Sequence, residues 1–327
     1  MSEMKRNPEA VAEMIRNAKT IALCCHVNPD GDTLGSTFAM RLALLEMGKT
    51  VSAFCDGKVP DSLSFLPGAE TMRCPGKEEG PFDLMLSLDV SDEQRLGACA
   101  GLKEVSSHTA QIDHHSTNPL FMEVNSVDGT SPACCLLVRE QIRTLGIGLN
   151  TDIAVCLYTG ISTDTGNFAF ASTNTECFQV MQELMEQQLP LSELNRRLFL
   201  ERAKPQVLLL GKALKNLVYY EHDQIAVMTL TRKDFLEAGA LSEHADTLVN
   251  FGLNTVGTRF AILARESAEG GIKLSLRAKE PDTVDDIAGL FGGGGHLQAS
   301  GIKMAGTLEE TVRPVLEAMI RKLNEKR

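Results

Sequence analysis

Residues 21–47 read IALCCHVNPDGDTLGSTFAMRLALLEM: an apolar run, an acidic turn, and a second apolar segment of different period. Ile21 to Cys25 contains no charged residue, the pattern of a strand buried on both faces of a parallel sheet. From Thr33 to Met47, Leu34, Phe38, Leu42 and Leu45 recur at helical spacing, with Asp32 or Thr33 as the expected N-cap. Strand, short turn and helix make the first part of a βαβ unit. In open sheets built from such units, ligands bind outside the carboxyl ends of the strands. His26, Asp30 and Asp32 fall there.

The pattern continues downstream. Val51 to Cys55, Leu84 to Leu88 and Thr109 to Ile112 read as strands. Pro132 to Leu145 and Ile153 to Ile161 read as buried helices, although periodicity alone also allows a strand for the second. Thr175 to Gln188 reads as a helix. The expected fold class is α/β, with a doubly wound parallel sheet over residues 1–190. Around Gln188-Leu189-Pro190 the pattern changes, and Leu191 to Tyr220 is charged and mostly helical, with residues 191–215 as a helical linker. Residues 216–327 then read as a smaller α/β domain. Its strands are Ile225 to Leu230, Thr258 to Ala264 and Ile272 to Ala278, followed by a Gly-rich turn and a helix from Leu308 to Leu323.

Charge and composition narrow the function. The 327 residues carry 32 Lys+Arg against 43 Asp+Glu, a net charge of −11, which opposes gripping long duplexes through phosphate neutralisation. Aromatic residues make up 5% with no Trp, too few for a long stacking track, so a pocket for a dinucleotide or similar short substrate is expected. No apolar run approaches the roughly 18–20 residues that span a bilayer, and the N-terminus lacks an apolar signal core. A cytoplasmic protein is expected. The 9 cysteines sit mostly inside runs such as IALCC and ACCLLV, as buried thiols rather than a disulfide framework or zinc ribbon.

Metal-type ligands occur in HVNPDGD (His26, Asp30, Asp32), LDVSD (Asp89, Asp92), DHH (Asp113, His114, His115) and STDTGN (Asp164). Singly, each has an ordinary explanation: a turn, a strand end, a surface histidine, a cap. An EF-hand is excluded for the first, because Leu34 occupies the third ligand position. Together they share one feature: each directly follows an apolar run. At least three therefore meet along one edge of the sheet, and Asp164 can join from a helix end. Carboxylates crowded in this way repel unless cations neutralise them. Mixed imidazole and carboxylate ligands in this number exceed one tetrahedral zinc and suit two octahedral divalent ions, manganese or magnesium. Such pairs stabilise in-line displacement at phosphorus, so the expected reaction is hydrolysis of a phosphoester or phosphoanhydride. In the second domain, the glycines before His296 (Gly293, Gly294 and Gly295 among them) offer N–H groups to an anion, with Arg277 on the preceding strand.

In this order the clusters resemble motifs I to IV of the DHH phosphoesterase family, with Asp113-His114-His115 as the naming triplet. FGGGGHLQASG (Phe291 to Gly301), preceded by KLSLRAKE, resembles the type 1 DHH-associated domain. The resemblance covers essentially the whole chain, and its layout is most similar to the nanoRNase subgroup. It implies hydrolysis of oligonucleotides of two to five residues to mononucleotides, and of 3′-phosphoadenosine 5′-phosphate (pAp) to AMP, by hydroxide attack between two metals. It also implies His26, Asp30 and Asp89 as ligands of a first cation, and Asp32, Asp89, His114 and Asp164 of a second, with Asp89 bridging. Mn²⁺ is the implied ion, with Mg²⁺ or Co²⁺ as alternatives. His115 would contact the substrate phosphate and Asp113 would orient the loop, while Arg277, Gly293, Gly294, Gly295 and His296 would bind the substrate's terminal phosphate and nucleotide, with the active site in the interdomain cleft. One departure is Ala278, where relatives often carry serine. The implied partners are short oligonucleotides and nucleoside bisphosphates, without long duplexes or membranes, and a homodimer is left open. A family II pyrophosphatase should lack GGGGH, and a cyclic-dinucleotide or RNA-binding regulator would tolerate loss of metal ligands; this chain keeps both features.

Overall fold

The computed structural model describes residues 6–325, apart from the side chain of His296. The chain divides into two compact units, Met1–Glu201 and Arg202–Arg327.

In the first unit, α1 (Pro8–Asn17) precedes β1 (Thr20–Cys24), α2 (Gly31–Glu46), β2 (Thr50–Phe54), β3 (Phe82–Leu88), β4 (Ser106–Asp113) and β5 (Val124–Val127). Helices α3 (Cys134–Thr144), α4 (Thr151–Asp164), α5 (Thr175–Met185) and α6 (Leu191–Asn195) follow, the last running into a π-turn at Arg196–Leu200. The five strands are all parallel in the order β2-β1-β3-β4-β5. Alternate strand residues face opposite sides. Ile21, Leu23, Leu84, Leu86 and Ile112 pack with α1 to α6, whereas Ala22, Cys24 and Met85 pack with Leu96, Cys99 and Leu102 of the 3₁₀ segment Glu93–Lys103. The two covers are therefore unequal, helical on one face and irregular on the other. All the cysteines are free thiols and all but Cys74 are buried.

The second unit contains α7 (Lys204–Lys215), β6 (Val218–Tyr220), β7 (Ile225–Leu230), α8 (Arg232–Ala238), α9 (Val249–Leu253), β8 (Phe260–Glu266) and β9 (Ile272–Ala278). It ends with α10 (Asp285–Leu290), β10 (Gly294–His296), β11 (Ala299–Met304) and α11 (Leu308–Glu325). Its six-stranded sheet runs β10-β11-β9-β8-β7-β6, antiparallel except for the β7–β8 pair. Helices α10 and α11 cover one face, and α7 to α9 cover the other.

Several local expectations change. Asp30, not Asp32 or Thr33, caps α2, accepting from Asp32 N and Thr33 N, which leaves the Asp32 carboxylate to turn inward. Leu191 to Tyr220 is not one helical stretch: Glu201–Ala203 interrupts it before Pro205, and Val218–Tyr220 is a strand. The helical reading of Ile153 to Ile161 holds: the segment lies within α4, whose first turn is closed by the Asn150 side chain. Among the described residues, no helix is long and apolar enough to cross a membrane.

Candidate metal centre

Strand order reverses at β1, which has β2 on one side and β3 on the other. Crevices at such a switch point are where open α/β sheets bind ligands. His26 follows β1, Asp89 directly follows β3, and His114 directly follows β4. Asp89 adopts a left-handed backbone (φ 59°), a conformation that costs energy for a non-glycine residue and persists where surrounding structure enforces it. Its N–H donates to Ile112 O at 3.0 Å, fixing the turn against β4.

Two groups of ligand atoms share Asp89. In the first, His26 Nε2 lies 3.7 Å from Asp89 Oδ2 and 3.8 Å from Asp30 Oδ2. The His26 Nδ1 atom pairs with Val27 O at 2.7 Å, which turns Nε2 inward as a lone-pair donor to a metal. The Thr33 hydroxyl, on the first turn of α2, reaches into this group. In the second, His114 Nε2 is 3.4 Å from Asp89 Oδ1, 3.3 Å from Asp164 Oδ2 and 3.8 Å from Asp32 Oδ2. His114 Nδ1 pairs with Ser131 O at 3.1 Å, the same arrangement as at His26. Asp32 is anchored by the start of α3: Oδ2 accepts from Cys134 N at 2.5 Å and Oδ1 from Cys135 N at 2.9 Å. Unpaired N–H groups at a helix start favour an anion there.

Asp164 comes from the far end of α4, and close helix packing brings it in. A Cβ on Gly160 would stand 2.5 Å from Asp32 Oδ1, and one on Gly35 would stand 2.5 Å from Cys156 O. The α2–α4 contact thus requires glycine at both places. His115 Nδ1 is 2.8 Å from Asp113 Oδ1, and Asp113, fully buried, also accepts from Asn118 Nδ2 at 2.6 Å. Asp113 therefore orients the His115 ring through Nδ1. Asp92 does not join the cluster; it caps the 3₁₀ segment through Arg95 N.

The electrostatics favour cations. Burial, then the Asp32 charge, pushes Asp164 up to about 9. Burial, then Asp89, pushes Asp32 up to about 7. Burial opposes ionisation of Asp89, but the facing His114, with His26 and His115, holds it well below the usual carboxylate range. Against its own burial, His114 is raised to about 11 by Asp89, Asp32 and Asp164. Asp89 Oδ1 is buried without a hydrogen-bond partner. Oxygen- and imidazole-rich triplets whose ligand atoms lie within 4.8 Å of one another (His26/Asp30/Asp89, Asp32/His114/Asp164 and Asp89/His114/His115) fit divalent cations, which would satisfy that oxygen and replace the protons.

In the second unit, Arg277 is half-buried on β9, with Nη1 donating to Leu276 O at 2.9 Å, and burial lowers its pKa. Ala278 packs in the core on the opposite face of the strand, so the hydroxyl missing there faces away from Arg277. The glycines form a turn and an edge strand rather than an open loop. A Cβ on Gly293 would meet Gly301 O at 2.2 Å and one on Gly295 would meet Ala299 O at 2.4 Å, whereas Gly294 has nothing within 4 Å. Packing against β11 explains the first two; Gly294 remains open to an approaching molecule. The His296 side chain lies outside the described residues.

Comparison with known proteins agrees with this frame. The model of the DHH family N-terminal domain matches residues 20–161. The "bifunctional oligoribonuclease and PAP phosphatase NrnA" of Thermus thermophilus is 32% identical over 311 residues, spanning 94% of this chain and 92% of that protein. The Bacillus subtilis protein of the same name is 29% identical over 299 residues, spanning 88% and 91%. The crystal structure of an exopolyphosphatase-related protein from Bacteroides fragilis matches with a TM-score of 0.90 at 26% identity, covering 96% of this chain and 95% of that one. A parallel sheet with carboxylates and imidazoles at its switch point is the frame of a metal-dependent hydrolase. The chain belongs to the DHH phosphoesterase family.

Proposed function

We propose that the protein is a divalent-metal-dependent phosphoesterase that hydrolyses oligonucleotides of a few residues to mononucleotides, and pAp to AMP. The observation that carries the reading is the pair of ligand groups joined through Asp89: His26, Asp30 and Asp89 for a first cation, Asp32, Asp89, His114 and Asp164 for a second. The bifunctional names of the relatives that match along most of their length support the substrate class. Two cations held by these residues, Mn²⁺ by preference for this donor set, would supply the positive charge for activating water and neutralising the phosphoryl oxygens.

The chain's own groups do the rest. The α3 amides fix Asp32, so that its carboxylate keeps one orientation. His115, held at Nδ1 by Asp113, presents its other nitrogen to a phosphate oxygen. Arg277 retains guanidinium donors beyond its bond to Leu276 O, and with Gly294 and His296 it is assigned to the substrate's terminal phosphate and nucleotide. A cytoplasmic location belongs to the same proposal.

Purified protein with Mn²⁺ should turn over a dinucleotide and pAp and leave a long single strand nearly untouched. Turnover of pyrophosphate alone would replace the reading with a phosphoanhydride hydrolase.

A further inference from the structure

Thr33 is a buried hydroxyl inside the first ligand group that the assignment of carboxylates and imidazoles leaves without a role. Its Oγ1 lies 2.5 Å from His26 Nε2, 2.6 Å from Asp89 Oδ2 and 3.0 Å from Asp30 Oδ1. These atoms belong to all three side chains assigned to the first cation. A hydroxyl carries one proton and two lone pairs. In the neutral ring that coordination requires, with Nδ1 directed to Val27 O, Nε2 of His26 is an acceptor, as are both carboxylate oxygens. One proton among three acceptors makes one hydrogen bond. The other two approaches set lone pair against lone pair in a buried site, where unmatched polar groups are costly. A cation among the same atoms turns those contacts into attractions, and a neutral hydroxyl oxygen suits the hard ions that the carboxylates favour.

The hydroxyl is not needed to close the helix. Asp30 Oδ1 already accepts from Asp32 N and Thr33 N, both at 3.1 Å. We propose that Thr33 is a positioning residue of the first cation subsite, its hydroxyl giving its proton to the bridging Asp89 carboxylate and turning its oxygen toward the cation. The proposal rests on the two-cation reading above.

Thr33→Ser, Thr33→Ala and Thr33→Val variants of the full chain separate the roles. Calorimetric Mn²⁺ titration of the metal-free proteins should give two sites for the wild type and for Thr33→Ser. Thr33→Ala and Thr33→Val should each lose about 10- to 100-fold in affinity at one site and keep the other. Electron paramagnetic resonance of the Mn²⁺-loaded proteins should show the coupled-pair signal in the wild type and Thr33→Ser, and its loss in Thr33→Ala at the same cation concentration. Far-UV circular dichroism checks folding, and if Thr33→Val is unfolded, the Ser and Ala variants carry the test. Two wild-type-like sites in Thr33→Ala would overturn the proposal, whether or not Thr33→Val also binds, because loss in Val alone is obstruction by a methyl group. A wild type that binds fewer than two cations would remove the two-cation reading, and this assignment with it.

Discussion

Asp89 is buried among carboxylates yet stays ionised, because the imidazoles of His114, His26 and His115 face it. Its neighbours behave in the opposite way. In the metal-free protein His114 holds its proton up to about 11 and Asp164 up to about 9, and both must release it to coordinate a cation. Affinity for Mn²⁺ should therefore rise between about pH 6 and about pH 8, with proton release visible as a dependence of the binding heat on the buffer's ionisation enthalpy. An affinity independent of pH, with no buffer effect, would contradict these assignments. The raised carboxyls also contribute stability at low pH that is lost as pH rises toward about 7 for Asp32 and about 9 for Asp164, so cations should increase Tm more at the alkaline end. Asp113 tests a different role. Asp113→Asn should keep both cations and lower kcat about 10- to 100-fold through a misplaced His115; loss of a cation would make Asp113 part of the metal site instead. The candidate ligands that the structure brings together were legible in the sequence because few side chains can hold a hard cation, and each followed an apolar run. Thr33 was not, since a threonine after an acidic turn reads as a helix start until the three contacts of its hydroxyl are seen.

Helix packing sets the position of Asp164. Gly160→Ala would place a methyl group 2.2 Å from Cys135 Sγ and 2.5 Å from Asp32 Oδ1, so α4 must move away from α2 and α3. The variant should lose about 1–3 kcal/mol of stability, an ordinary cost of overpacking, and bind one cation more weakly. Wild-type Tm and affinity together would contradict that coupling. The strand–acid–helix element was readable because its period changes from continuous apolar to helical within a few residues. Other elements were not. Strand β5 is only four residues, VNSV, too short and too polar for a periodic signal. The break near Glu201 did have a marker, Pro205, which favours the start of a new helix over continuation. Gly31 and Gly35 stand one turn apart in α2, but their meaning depends on a partner helix more than a hundred residues away, which spacing alone does not identify.

At the level of the whole molecule, an acidic chain acting on a polyanion needs local positive charge rather than a basic face. Arg277, half-buried in the second unit, is proposed as one such group. Arg277→Ala should raise KM for a dinucleotide about 10- to 100-fold, the usual effect of losing a charged hydrogen bond, with kcat and cation stoichiometry little changed. A fall in kcat at constant KM would place Arg277 with the reacting phosphate instead. The division at Glu201 and Arg202 falls within residues 191–215, which read in the sequence as a helical linker. The most direct measurement is anomalous diffraction at the manganese edge from crystals grown with Mn²⁺. Two peaks about 3.5–4 Å apart, with Asp89 between them, His26 and Asp30 beside one, and Asp32, His114 and Asp164 beside the other, are expected. No peak, or a single peak remote from Asp89, would contradict the two-cation centre on which the proposed chemistry stands.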